Sequence, residues 1–152
     1  SRGLGDVYKR QSTNPGEPPK PLAKIASGGE LSRIMLAIKT ILAHKDTVGT
    51  LIFDEIDTGV SGRASQKIGL KLRAVAEDTQ VICVTHSAQI ASLAGAHFLI
   101  QKQVKGERTY THVQRLDFDG RARELARIMG GLKITPALLS TAEEMLRTAR
   151  EG

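Results

Sequence analysis

The sequence is poor in aromatic residues: tryptophan is absent, and Phe, Trp and Tyr together make up 3% of 152 residues. Its core must therefore be aliphatic, and a platform that stacks the bases of single-stranded nucleic acid is not expected. The one cysteine, Cys83, rules out an internal disulfide, and between Ile82 and Val84 it reads as a buried thiol. No apolar run approaches the roughly 20 residues of a membrane span, and no charged-then-apolar secretory start is present. The expected setting is the cytoplasm, with no membrane partner. His44, His97 and His112 are isolated, and no spacing resembles a zinc site. The largest gap is a motif: G-x-x-x-x-G-K-[ST] occurs nowhere, so a phosphate-cradling loop with its lysine and magnesium-binding hydroxyl is not encoded here.

What is present fits one ordinary domain by length. Lys and Arg number 22 against 16 Asp and Glu, a net charge of +6 that permits contact with an anionic partner without requiring it. Residues 1–11 have no structural periodicity and read as a foreign end; they carry Arg2, Lys9 and Arg10 against Asp6, so without them the charge falls to +4. From Gln101 onward ten cations face seven carboxylates, too even a balance to mark a nucleic-acid face. Residues 12–26, with Pro15, Pro18, Pro19 and Pro21, read as an extended linker, because proline fixes its own φ and restricts its predecessor.

Leu31, Ile34, Met35, Ile38, Ile41 and Leu42 recur at helical spacing and predict a helix from Ser27 to about Ala43. Residues 50–53 (TLIF) predict a strand, a second helix opens at Ser61 or Gly62, and Gln80 to Thr85 predicts a second strand. Strand, helix, strand is the unit of a parallel sheet. A short helix over Ser87–Leu93, a strand over Phe98–Gln101, a hairpin turn at Lys105–Gly106 into Thr109–Leu116, and helices over Arg121–Met129 and from Pro136 complete the expectation. No internal repeat is found.

Leu51-Ile52-Phe53-Asp54-Glu55 is an apolar strand that ends in two carboxylates. At the carboxyl end of a parallel strand, where open α/β sheets bind ligands, Asp54 suits a hard ligand for Mg²⁺, and Glu55 suits a base that polarises the water attacking a phosphate. A plain strand cap is the alternative. Ser27-Gly28-Gly29-Glu30 has the Ser-x-x-Glu spacing of a capping box. Two glycines within it cost about 1 kcal/mol each in helix propensity, and bare amides at a helix start receive anions, so phosphate contact is preferred over capping alone. His86 follows the second strand and, if the strands are neighbours, shares an edge with Glu55. Asp57 by itself reads as a turn residue.

In this order, SGGE, LIFDE, Asp57 and TH resemble the second half of an ATP-binding-cassette ATPase head. KPLAKIASGGELSRIMLAIKTIL, TLIFDEIDTGVSGRAS, VICVTHSAQIASLA and the late ELARIMGG resemble, more closely, the RecN family of SMC-like ATPases of DNA double-strand-break repair. The resemblance, judged to start near Ser12, implies an α/β fold: the carboxyl-terminal part of a P-loop NTPase head, a mainly parallel sheet with flanking helices and a late hairpin, over residues 27–152. It assigns Ser27, Gly28, Gly29 and Glu30 to the signature motif, Asp54 and Glu55 to the Walker B metal and catalytic carboxylates, Asp57 to the D-loop, and His86 to the switch histidine. It implies ATP and Mg²⁺ as cofactors and a nucleoid-associated cytoplasmic protein. The implied partners are an amino-terminal half of the same head, a second head across sandwiched ATP, and DNA. The chain then reads as a fragment, inactive alone. The alternatives are the head of another SMC- or ABC-type ATPase and a non-catalytic DNA- or protein-binding module.

Overall fold

A computed structural model describes residues 10–11, 20–21, 27–42, 48–106, 108–131 and 133–151. The expected foreign end and proline-rich linker fall largely outside the described residues, and His44 does so entirely. Of those stretches only a short antiparallel pair is described, β1 (Arg10–Gln11) with β2 (Lys20–Pro21).

The helix predicted from the SGGE segment forms as α1 (Gly28–Leu42). Its box closes in both directions: the Ser27 amide donates to Glu30 Oε2 (2.9 Å) and the Glu30 amide to Ser27 Oγ (3.3 Å). β3 (Thr50–Phe53) and β4 (Gln80–Cys83) pair in parallel, Thr50 opposite Gln80 through Phe53 opposite Cys83, and α2 (Gly62–Val75) is the crossover between them. Ser61 caps α2 by accepting from the Ala64 amide. The strands point Leu51, Phe53, Val81 and Cys83 at a core formed with Leu36, Ile56, Leu72, Val75 and Ile90. The opposite face of the pair is bare, with Ile52 70% exposed and Ile82 and Val84 nearly half so.

β4 ends at Cys83, two residues before the predicted end, because Thr85 and His86 turn away to bond Asp57. The short helix α3 (Ala88–Ser92) joins two cores: Ile90 enters the one under the parallel pair, while Ala88 and Ala91 enter a second, all-helical one. Arg121 closes the far end of α3, its Nη2 donating to the carbonyls of Ala91, Ser92 and Ala94. The hairpin β5 (Phe98–Lys105) with β6 (Arg108–Arg115) is longer than predicted on its first strand, since the ladder runs unbroken from Phe98 opposite Arg115 to Lys105 opposite Arg108.

The fourth helix, α4 (Phe118–Gly130), starts three residues earlier than its periodicity suggests, because Asp117 accepts from the Gly120 amide and caps it there. It packs on α5 (Pro136–Glu151) through Ala122, Leu125, Ala126, Ala142 and Leu146. Leu125 has no exposed surface. Leu125→Ala is expected to cost about 2–5 kcal/mol of unfolding free energy, read from denaturant midpoints, as a buried leucine leaving a cavity does. Among the described residues no helix is long and apolar enough to cross a membrane.

Candidate functional site

The site lies where β3 ends against the start of α1. Asp54 and Glu55 are both exposed there, and the Glu55 amide donates to Asp54 Oδ1 (2.8 Å). Glu55 has a positive φ of 56°, a conformation that a residue with a side chain adopts at a cost of order 1 kcal/mol or more. The loop turns at once, the Thr58 amide donating to the Glu55 carbonyl (3.0 Å).

The glycines of SGGE have a cause that spacing alone did not reveal. A Cβ on Gly29 would fall 2.6 Å from the Glu55 carbonyl oxygen, and one on Gly28 would fall 2.6 Å from Glu55 Oε2. They let the carboxylate loop lie directly on the helix start. With Ser27 and Glu30 occupied in the capping box, the amides of Gly28 and Gly29 are the remaining donors of that first turn, and the Glu55 carboxylate beside Gly28 complements the helix dipole.

Asp57 is more than a turn residue. Its Oδ2 accepts from Thr85 Oγ1 (2.6 Å) and from the His86 amide (3.0 Å), and the Ser87 amide donates to Thr85 Oγ1 (3.0 Å). This latch brings the two strand ends together and places His86, with an exposed side chain, on the same edge as Asp54 and Glu55. The expected edge is thus formed. Sequence reasoning passed over three members of the site: Thr85, and on α1 Ser32 and Arg33. Ser32 Oγ donates to the Asp54 carbonyl (2.7 Å), and Arg33 Nη1 donates to the carbonyls of Ile56 (3.1 Å) and Thr58 (3.0 Å). The signal in the sequence is a pair of polar residues one position after SGGE, on the face of the helix turned away from its apolar stripe.

Cys83 lies beneath this edge. Burial first, then the charges of Asp57 and Asp54, push its thiol from 9.0 up to about 11. A raised acid favours the protonated folded state, so its contribution to stability is complete below pH 9 and is lost as the pH rises toward 11. At pH 8 the native thiol should alkylate with iodoacetamide about 100-fold more slowly than in denaturant, in proportion to its thiolate fraction. His97 is half-buried, and burial followed by the charge of Arg121 lowers its pKa. Among the described residues no group of three or more His, Cys, Asp or Glu could hold a metal. Mg²⁺ carried on a nucleotide would take one or two protein carboxylates and complete its shell with phosphate oxygens and water. Asp54 and Glu55 are the exposed carboxylates at this edge.

The parallel pair, its crossover helix and the motif-bearing edge define the fold of the carboxyl-terminal part of an SMC-type P-loop ATPase head. A solved SMC ATPase structure, from work on ATP-driven dimerization and DNA-stimulated activation, superposes with a TM-score of 0.51 over 78% of this chain and 70% of that one, at 15% identity. In sequence the chain is RecN-like throughout. It is 47% identical to the DNA repair protein RecN of Halalkalibacterium halodurans and 48% identical to those of Treponema pallidum and Vibrio cholerae, over 97%, 95% and 97% of its length. It spans about a quarter of the length of these curated relatives. The first match takes in 147 of the 152 residues, so it reaches into the initial stretch that pattern alone had set apart. No family model matches the chain.

Proposed function

We propose that this chain is the signature and Walker B lobe of an ATPase that acts in DNA double-strand-break repair and recombination, and that it works when completed by a phosphate-loop lobe and paired with a second head. The observation that carries the reading is the convergence at one sheet edge of Asp54, Glu55 and His86 with the SGGE helix start, joined by the Asp57 latch. RecN relatives at 47–48% identity and an SMC ATPase fold support it.

Bound Mg²⁺–ATP supplies the electrophilic phosphoryl group and the charge that neutralises its oxygens. In this reading Asp54 holds the metal, Glu55 accepts the proton of the attacking water at its carboxylate, and His86 orients the terminal phosphate. Asp57 holds the loop that presents His86. The Gly28 and Gly29 amides, with Ser27 and Glu30, close over the nucleotide of the opposite head. The bare face with Ile52, Ile82 and Val84 supports a further lobe on the sheet, because parallel strands are normally covered on both faces. DNA is the proposed macromolecular partner, and the nucleoid the proposed location.

The test is to express the chain fused to or together with an amino-terminal phosphate-loop segment of a RecN relative and to measure ATP turnover with and without DNA. Turnover in the pair and none in the chain alone is expected. No turnover in a folded, nucleotide-binding pair would favour a non-catalytic binding module.

A further inference from the structure

The loop that carries the two carboxylates is tied to the end of β4 through the Asp57 side chain, while its backbone carbonyls are gripped by consecutive residues of α1. Its first carbonyl, at Asp54, accepts from Ser32 Oγ; its third and fifth, at Ile56 and Thr58, accept from the same nitrogen, Nη1 of Arg33. These bonds bracket Glu55, the residue whose backbone sits at φ 56°. A charged donor makes stronger hydrogen bonds to carbonyls than a neutral one does, and Ile56, fully buried, gives the loop a fixed base. Ser32 and Arg33 lie within one turn of Glu30, so their bonds tie the carboxylate loop directly to the helix start.

We propose that Arg33, assisted by Ser32, is a positioning residue for hydrolysis: it holds the Asp54–Glu55 turn in its left-handed conformation and ties that turn to the SGGE helix start. The proposal rests on the ATPase reading above. Nucleotide closing against Gly28 and Gly29 is thereby transmitted, through one turn of α1, to the carboxylate that accepts the proton. A residue that only stabilised the fold would lower the melting temperature and leave turnover per folded molecule unchanged. A positioning residue lowers kcat of the folded protein and leaves KM alone.

The experiment compares wild type, Arg33→Ala, Ser32→Ala and Glu55→Gln in the completed head, reading kcat and KM for ATP together with the melting temperature. Arg33→Ala is expected to lower kcat about 10–100-fold, the scale of an ångström-level misplacement, with KM within about twofold. Ser32→Ala, the milder variant should the first fold poorly, is expected to lower kcat about threefold to tenfold with KM again unmoved. Unchanged kcat in both, or a loss confined to KM, beside a collapsed rate in Glu55→Gln overturns the positioning role and leaves the ATPase reading standing. An unchanged rate in Glu55→Gln overturns the ATPase reading and the positioning role with it.

Discussion

Glu55→Gln in a completed head is expected to slow ATP hydrolysis about 10²–10⁴-fold while nucleotide binding is retained. The amide keeps the size of the carboxylate and its place beside Gly28, so the loop, its bonds from Ser32 and Arg33, and the left-handed turn are preserved. The capacity to take a proton is removed, together with the negative charge beside the helix start. Single-turnover kinetics measure this directly, because product release does not enter, and binding is read separately from the change in fluorescence of a labelled nucleotide. A single-turnover rate equal to wild type would remove Glu55 from that role.

The second large effect separates two adjacent glycines. Gly29 is buried, and a Cβ there would meet the Glu55 backbone oxygen at 2.6 Å, Arg33 Nη1 at 3.1 Å and Thr58 Cβ at 3.2 Å. Backbone cannot swing aside. Gly29→Ala is expected to cost about 1–3 kcal/mol, as overpacking does, and to abolish hydrolysis by prying the loop from the helix. At Gly28 the nearest atom is the end of a side chain, Glu55 Oε2. Gly28→Ala should therefore leave stability within about 1 kcal/mol of wild type, the gain in helix propensity offsetting the contact, and still lower turnover by displacing the carboxylate. Thermal melts and turnover of the two variants check this. Equal loss of stability in both would show that the loop does not rest on the helix in this way.

Much of this arrangement could be read from the residues because it rests on local rules. The helical course of α1, the TLIF strand, the crossover through α2 and the paired glycines of the capping box are all within reach of periodicity and spacing, although the stripe of α1 faces outward, with Ile41 82% exposed, and Leu36, outside that stripe, enters the core. The carboxyl end of β3 was identifiable because an apolar strand ending in two acids has few explanations. Where the reading fell short, long-range contacts decided. Beyond any room for phosphate, the two glycines accommodate the chain's own Glu55, 26 and 27 positions away in sequence, and spacing alone does not reveal that contact. Ser32 and Arg33 looked like ordinary helix residues, because the carbonyls they reach belong to a loop more than twenty residues on. The apolar run of β4 continues into Val84, so the sequence overstates its length, and only the Asp57 latch, across 28 residues, says where the chain leaves the sheet. The start of α4 was missed because its cap, Asp117, precedes a Phe–Asp–Gly segment with no apolar stripe.

The central claim is that Glu55 serves the nucleotide of its own head while Ser27 to Glu30 serve that of the opposite head, and mixing two dead variants tests it most directly. Ser27→Arg blocks the helix start, and Glu55→Gln removes the base. In a symmetric dimer each variant alone has no working site, but a mixed dimer contains one site with an intact Glu55 facing an intact SGGE. Equal mixing of the two completed heads is predicted to restore turnover to about a quarter of wild type, half the dimers being mixed and each having one working site of two. A mixture no more active than either variant alone would contradict the account.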